Sequence, residues 1–371
     1  MKAIKVQLWY GVLVLGILLG LLTAYRVLIG TGFVLYAKTD ILVWTMPIAA
    51  YVFFSLTSSG LAFVSSIPVV FGIKRYQPLE KRTAFLEIAA LVAAFTCLFL
   101  HLGSPWNVIY YIMSPNLASP LWWIGMLYGI YLIVLLLSFR KMHKAGVSKG
   151  LGIFTFIIAM ATSTALGWLF GLPDARPVFA ANFLAMYFPL TGFASALAAV
   201  LLFSLAYHHF AKIPLSEGDK NLYNDIGKLF GVVTAFTLIF FIWRTIVAGV
   251  SGTAVEFAGF RHMLSSGWYH LALWVGLVIP LVLIAMPAVR NATWGKVTSA
   301  ALFLVGMFAG RVEMVLSGLV MPTGPKAEGQ PQFVSYWPTI WEVFVFVSAL
   351  AVCLFIYTLG ERSLKLSEVP E

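Results

Sequence analysis

The chain has 371 residues, of which 61% are apolar (Ala, Val, Ile, Leu, Met, Phe, Trp, Tyr or Cys) and only 10% are charged. Water-soluble domains carry roughly 45–50% apolar and about 25% charged residues. The composition therefore excludes a cytosolic enzyme, a nucleic-acid-binding protein and a disordered chain. The formal net charge of +10 is interpreted as a set of topology signals, because the basic residues stand between apolar runs.

Apolar runs long enough to cross a bilayer follow one another along the whole chain. A membrane helix needs about 20 apolar residues. The ten runs lie at 8–29, 42–72, 83–103, 119–139, 150–171, 186–210, 228–250, 267–288, 296–320 and 338–359. They predict an all-α, polytopic membrane helix bundle that forms a single integral membrane domain over residues 1–371. Lys2 and Lys5 resemble the start of a signal peptide, but no small-residue cleavage site follows, so we expect the first helix to be retained.

Basic residues are distributed unequally between the two sides of the predicted bundle. When the loops are assigned to alternate sides, 17 of the 24 Lys and Arg residues fall on the side of the N-terminus. Cytoplasmic loops are enriched in Lys and Arg. Both termini are therefore predicted to be cytoplasmic.

Two ionisable residues stand on the third run. Glu87 and His101 are 14 positions apart, which places them within about 40° of one helix face and about 21 Å apart along the axis. Ionisable groups inside a span are costly and are functional candidates by default. The pair suits a redox chemistry that exchanges protons, such as quinone reduction. Two alternatives remain open: pairing of Glu87 with Lys81 or Arg82, and a hydrogen-bonded helix end for His101.

A second ionisable group is predicted in the outer half of the bundle. Arg244 stands on the seventh run, and Arg311 and Glu313 stand on the ninth. Each arginine needs an anionic or carbonyl partner at that depth, so we expect Arg244 or Arg311 to pair with Glu313 or Glu256. The group forms either a structural ion pair or part of a proton path.

Histidines and cysteines define the cofactor alternatives. His101, His262 and His270 lie toward one face and leave a bis-histidine haem open. The chain has only two cysteines, Cys97 and Cys353, which are too few to hold an iron–sulfur cluster. The residues therefore predict no iron–sulfur cluster, and no metal-ligand spacing such as HExxH appears, while the haem alternative stays open.

Four stretches in order carry a family pattern. They are Trp44-Thr-Met-Pro47 leading to Tyr51; His101-Leu-Gly-Ser-Pro105 followed by Ser119-Pro120-Leu121-Trp122-Trp123-Ile124-Gly125; Gly167-Trp168-Leu-Phe-Gly171 with Ala175-Arg176-Pro177; and Tyr336-Trp337-Pro338-Thr-Ile-Trp341-Glu342. From about residue 40 onward the chain thus resembles the NrfD/PsrC-type membrane subunits (polysulfide reductase NrfD family), in their ten-helix branch.

The resemblance implies a subunit without a redox cofactor of its own, in a bacterial or archaeal cytoplasmic membrane. It implies a pocket near the outer face for menaquinone or ubiquinone as an exchangeable substrate. A ferredoxin-like iron–sulfur subunit would dock there, with a molybdopterin or other catalytic subunit beyond it. His101 stands where the family often has Asp. The predicted quinone-binding residues are His101, Tyr128, Trp122, Trp168 and Arg176.

The sequence therefore predicts a quinone- or quinol-reactive membrane anchor of a multisubunit respiratory oxidoreductase. Residues 40–210 would form the quinone-site bundle and residues 228–360 a second helix bundle. No residue is assigned a catalytic role, and a proton path, if present, would use Glu87, Arg244, Glu256, Arg311 and Glu313. The alternatives are a haem-bearing quinol dehydrogenase anchor and a proton-coupled secondary transporter.

Overall fold

The computed structural model describes residues 2–172, 183–250, 254–364 and 366, without the side chains of residues 2–5, 254–256, 325 and 326. In these residues the fold is mainly helical and contains no strand. Ten of the described helices are long and apolar enough to cross a membrane. The predicted all-α class and the predicted number of spans are confirmed.

The helices, in chain order, are α1 Lys2–Tyr25, continued by a wider π-helical turn over Arg26–Gly30, α2 Met46–Phe71, α3 Gln77–His101, α4 Val108–Met113, α5 Pro120–Ala145, α6 Lys149–Gly171, α7 Leu184–Ala211, α8 Glu217–Val250, α9 Ala254–Ser265, α10 Gly267–Ala285, α11 Pro287–Asn291, α12 Thr293–Ser317 and α13 Ile340–Ser363. Short 3₁₀ turns cover Gly32–Leu35, Lys74–Tyr76, Pro105–Asn107 and Gly324–Ala327. The short helices α4, α9 and α11 lie between spans. An even number of crossings brings the start of α1 and the end of α13 to one membrane face, called here the terminal face. That this face is cytoplasmic stays a prediction.

Helix ends follow local sequence signals and shift some predicted boundaries. Helix α2 begins at Met46 rather than at 42, because Thr45 is extended and Pro47 stands in the first turn, where its missing N–H is harmless. Helix α2 ends at Phe71 and is followed by Gly72, whose φ of 69° is left-handed and favours glycine. Ser119 begins α5 by accepting a hydrogen bond from the N–H of Trp122.

Helix α3 begins at Gln77, six residues before the predicted run of 83–103, and therefore includes Lys81 and Arg82. Both side chains are buried on α3. The Arg82 guanidinium donates to Glu361 of α13 at 2.6 Å and lies over the ring of Tyr207, 4.3 Å from its centroid. Arg82 therefore joins α3 to α13 and α7, and the predicted alternative of an Arg82–Glu87 pair is wrong.

Helix α2 forms the centre of the bundle, packed against α3, α6, α7, α12 and α13. Nearly every side chain from Met46 to Ile67 is buried, including several serines. Lipid tails are as apolar as leucine, so a membrane helix bundle can place its hydroxyls inward, where other helices supply partners. The hydroxyls of α2 thus lie inside the bundle, where other helices surround them.

Two pairs of glycines allow close helix contact. A Cβ atom on Gly60 of α2 would collide with the carbonyl oxygen of Gly192 on α7, and a Cβ atom on Gly306 of α12 would collide with Gly276 on α10. Small residues let membrane helices approach at the level of the backbone. The first contact holds the central helix against α7.

The late helices pack onto the early ones. Helix α12 contacts α2 and α7, and α13 contacts α1 and α3. Rings stack where α12 meets α13, with the centroids of Phe308 and Phe346 4.2 Å apart. The predicted division into bundles of residues 40–210 and 228–360 stays a prediction.

Candidate functional site

Glu87 lies in the interior of the bundle with none of its surface exposed. The Tyr131 hydroxyl of α5 donates to its Oε1 atom at 2.7 Å. The Ser65 hydroxyl of α2 donates to its Oε2 atom at 3.4 Å. The Ser58 hydroxyl donates to the main-chain carbonyl of Glu87 at 3.0 Å. Three helices therefore position one carboxylate, and the partner groups are neutral.

A small cavity extends from Glu87 toward the terminal face. Its volume is about 20 Å³, and Glu80, Ser138, Ser148 and Thr155 are among the residues that line it. A cavity of this size holds about one water molecule. Glu80 and Glu87 are two helical turns apart on α3 and both reach this space. Helices α2, α3, α5 and α6 thus enclose a polar space with room for one water between two buried carboxyl groups.

Tyrosines continue the polar groups toward the opposite face. The ring centroids of Tyr131 and Tyr128 are 6.3 Å apart, and those of Tyr128 and Tyr51 are 6.1 Å apart. The Tyr128 hydroxyl lies near Ser59 and Thr162. It is buried and makes no hydrogen bond within the described part of the chain. We call Glu80, Glu87, Tyr131, Tyr128 and Tyr51 the polar track.

His101 is buried at the far end of α3 from the cavity. Its Nδ1 atom is buried and finds no hydrogen-bond partner among the described residues. The hydroxyl of Tyr36 donates at 2.9 Å to the carbonyl of Leu100, the preceding residue, and the cation of Lys38 lies nearby. The described hydrogen bonds therefore leave the Nδ1 atom of the imidazole without a partner, and the role of His101 stays a prediction.

The other predicted quinone residues lie at different places. Trp122 donates through Nε1 to the carbonyl of Tyr111 at 2.7 Å. Trp168 is 44% exposed and borders a groove of about 510 Å³ on the outer surface of α6, beside Thr164. Arg176 lies outside the described residues. His101 and Tyr128 are buried on the packed helices α3 and α5, whereas Trp122 and Trp168 lie toward the surface.

The predicted arginine pairing resolves to one ion pair. Arg244 of α8 donates to both carboxylate oxygens of Glu313 on α12, at 2.8 Å each. Both side chains are almost wholly buried. Arg311 instead donates to the Thr191 hydroxyl. The side chain of Glu256 lies outside those described.

Arg311 is buried among aromatic rings near the ion pair. Its guanidinium lies 4.9 Å from the ring centroid of Phe188 and 6.0 Å from that of Tyr187. A desolvated cation over an aromatic face is stabilised by the ring quadrupole. The described contacts of Arg311 are thus with α7, and no described hydrogen bond joins it to the polar track.

The outer histidines each have a separate contact. The ring of His262 stacks on Phe333 with centroids 4.2 Å apart, and the Nε2 atom of His270 lies 2.8 Å from the carbonyl oxygen of Leu264. Partial burial lowers the pKa of His262. Among the described residues, no group of three or more His, Cys, Asp or Glu side chains is placed to hold a metal ion.

Sequence reasoning missed Tyr131, Ser58 and Ser65. A signal for Tyr131 was available, because Tyr128 and Tyr131 are three positions apart and share a helix face. The serines gave no comparable signal. Hydroxyls on a run of small residues are common in membrane helices, and only the packing shows that these two reach Glu87.

The ten long apolar helices define a multi-pass integral membrane protein. Residues 34–323 match the family described as Polysulphide reductase, NrfD. Since the match covers most of the chain, the protein belongs to the NrfD family, as the sequence motifs predicted.

Relatives of similar length have names that refer to redox complexes. The chain is 24% identical to a putative dimethyl sulfoxide reductase membrane subunit of Halobacterium salinarum, over 96% of this chain and 91% of that protein. It is 22% identical to the Hdr-like menaquinol oxidoreductase integral membrane subunit of Archaeoglobus fulgidus, over 88% and 85%. It is 21% identical to a selenate reductase subunit of Mesobacillus selenatarsenatis, over 85% and 83%.

Proposed function

We propose that this chain is the quinone-reactive membrane anchor of a respiratory oxidoreductase. It would pass electrons between menaquinone or ubiquinone in the bilayer and an iron–sulfur subunit at the face opposite the termini. A catalytic subunit, molybdopterin-bearing or of another redox type, would lie beyond. The names of the relatives support this assignment, since two are reductase subunits and the third is a menaquinol oxidoreductase subunit. Electrons must pass to a partner, because two cysteines cannot hold a cluster.

The observation that carries the proposal is the buried Glu87–Tyr131 hydrogen bond at the end of a polar cavity. A carboxyl group inside a membrane bundle is costly and marks a proton or ion pathway by default. In the proposed mechanism His101 exchanges a proton with the quinone near the opposite face. Tyr128, Tyr131 and Glu87 conduct that proton between the site and the cavity at the terminal face. The two electrons leave or enter through the iron–sulfur partner.

The test is quinol turnover by the whole complex, purified through a tag on this chain, with menadiol as the electron donor. Glu87→Gln keeps the volume of the side chain but cannot exchange a proton, and we expect turnover to fall at least tenfold. Tyr131→Phe should lower it less. Thr96→Val is the control, since Thr96 lies on the same helix and its described hydrogen bond is to its own backbone at Val92. Full turnover by an assembled Glu87→Gln complex would refute the polar track as a proton route.

The same preparation separates the alternative functions. A haem band in the visible spectrum that is assigned to this chain would favour the haem-bearing anchor. Failure to oxidise quinol, together with substrate uptake by the isolated chain in liposomes, would favour the transporter. Co-purification of an iron–sulfur and a catalytic subunit with quinol-dependent activity would support the anchor.

A further inference from the structure

Three helix ends meet at the face opposite the termini. Thr45 is the residue before α2, Glu342 is in the first turn of α13, and His101 is the last residue of α3. Tyr336, in the loop before α13, joins two of these ends. Its hydroxyl accepts a hydrogen bond from the N–H of Met46 at 3.0 Å and donates to Oε2 of Glu342 at 3.3 Å.

Hydrogen bonds reach only one of the two carboxylate oxygens of Glu342. Its Oε2 atom also accepts from the N–H of Thr339 at 2.8 Å, which closes a capping box. Its Oε1 atom is buried and has no hydrogen-bond partner among the described residues, and the whole residue has none of its surface exposed. An unpaired ionised oxygen in such a place is costly. A capping role needs one oxygen, so it leaves the burial of the second unexplained.

Two neighbouring polar atoms are also buried without a hydrogen-bond partner among the described residues. The Thr45 hydroxyl lies beside Tyr336 but is buried without a hydrogen bond in the described structure, as is Nδ1 of His101. Burial and the nearby Glu342 carboxyl both raise the pKa of Tyr336, so this phenol stays protonated and acts as a donor to Glu342.

Tyr36 connects the Glu342 region to the region of His101. Its hydroxyl donates a hydrogen bond to the carbonyl of Leu100. Burial raises the pKa of Tyr36, and the negative charge of the Glu342 carboxyl raises it further. Helices α3 and α13 pack against one another. Two groups that can bind a proton, each with a buried atom that has no described partner, therefore lie at the ends of adjacent helices on the face opposite the termini.

We propose that Glu342 is the second proton-exchanging group of the quinone site, positioned by Tyr336. This inference rests on the proposed function. Oxidation of one quinol releases two electrons and two protons. The electrons pass to the iron–sulfur partner. One proton goes to the neutral imidazole of His101, and the other goes to Oε1 of the Glu342 carboxylate and is released at the face where α13 begins. Quinone reduction runs the same steps in reverse.

The test uses the whole complex with Glu342→Gln. Glutamine at this position keeps the capping box and the side-chain volume, so assembly and melting temperature should stay unchanged. We expect menadiol oxidation to fall at least tenfold. We also expect the carboxyl C=O band in redox-induced infrared difference spectra to disappear. In Tyr336→Phe that band should shift, because its hydrogen-bond donor is lost.

The matched control is Glu361→Gln, the same change at the other end of α13. Glu361 binds Arg82 near the terminal face, far from Glu342. This variant should melt at a lower temperature but keep the quinol rate and the infrared band. An assembled Glu342→Gln complex with the wild-type rate and an unchanged band would overturn the inference alone. Failure of the wild-type complex both to oxidise menadiol and to reduce menadione would overturn the proposed function itself.

Discussion

Removal of one partner from the Arg244–Glu313 pair should destabilise the protein far more than removal of both. The guanidinium makes two hydrogen bonds of 2.8 Å to the carboxylate, and both side chains are almost wholly buried. Solvent screening is therefore small. Breaking a buried pair by loss of one partner costs about 3–5 kcal/mol, because the remaining charge is left without compensation.

The double replacement should be much better tolerated. Arg244→Met and Glu313→Met together leave no charge, and the sulfur of Met263 already lies 3.5 Å from the guanidinium of Arg244. Replacement of a buried pair by apolar residues of similar volume is often neutral or stabilising. We expect each single variant to lose about 3–5 kcal/mol of unfolding free energy and the double variant to lose less than either.

The assay is SDS titration of the purified chain in mixed micelles, followed by tryptophan fluorescence, with quinol turnover of the complex measured in parallel. Single losses that simply add in the double variant would refute the pairing argument. Turnover separates the two predicted roles of the pair. A double variant that is stable and active identifies a structural ion pair, whereas a stable and inactive one identifies a proton path.

Two further predictions concern packing and pH. Gly60→Val should prevent stable assembly, because the valine side chain would collide with the backbone of Gly192. Gly129→Val is the control and should assemble normally, because the space around its Cβ position is open. The yield of each variant in the membrane and its gel-filtration profile compare the two. Partial burial lowers the pKa of His262, so the folded state binds a proton at this imidazole less readily than the unfolded state does. The free energy of unfolding should therefore fall as the pH drops through 6.5 and below. His262→Phe keeps a ring stacked on Phe333 and should flatten this loss in melts recorded from pH 7 to pH 5; an unchanged slope would contradict the assignment.

The apolar runs predicted the ten spans well because the bilayer imposes a length and a polarity on each of them. The largest errors fell at the terminal face, where α3 begins at Gln77 and α8 begins at Glu217. Charged residues there look like loop residues in a hydropathy pattern. Arg82 can be buried within a helix because the carboxylate of Glu361, 279 positions away, neutralises its charge. A local sequence pattern cannot predict a contact at that separation.

Part of the candidate site was predictable from spacing alone. Glu87 and His101 were identified because ionisable residues are rare inside spans, and their positions on one helix are confirmed. Arg244 and Glu313 were identified on the same ground, although the choice between Arg244 and Arg311 was left open. Their pairing depends on how α8 and α12 are rotated against each other, which is a property of the packed bundle.

The sequence by itself determined the class of the protein, the number of its spans and its family, because these follow from composition, run length and ordered motifs. Only the tertiary structure decided which polar groups act together. Tyr131 reaches Glu87 from α5, and Tyr336 reaches Glu342 and the first turn of α2 from a loop near the end of the chain. A buried polar group must find its partner wherever the packing places one. In this bundle the buried ionisable groups Glu87, Arg82 and Arg244 find their partners on other helices, at sequence separations that no periodicity can encode.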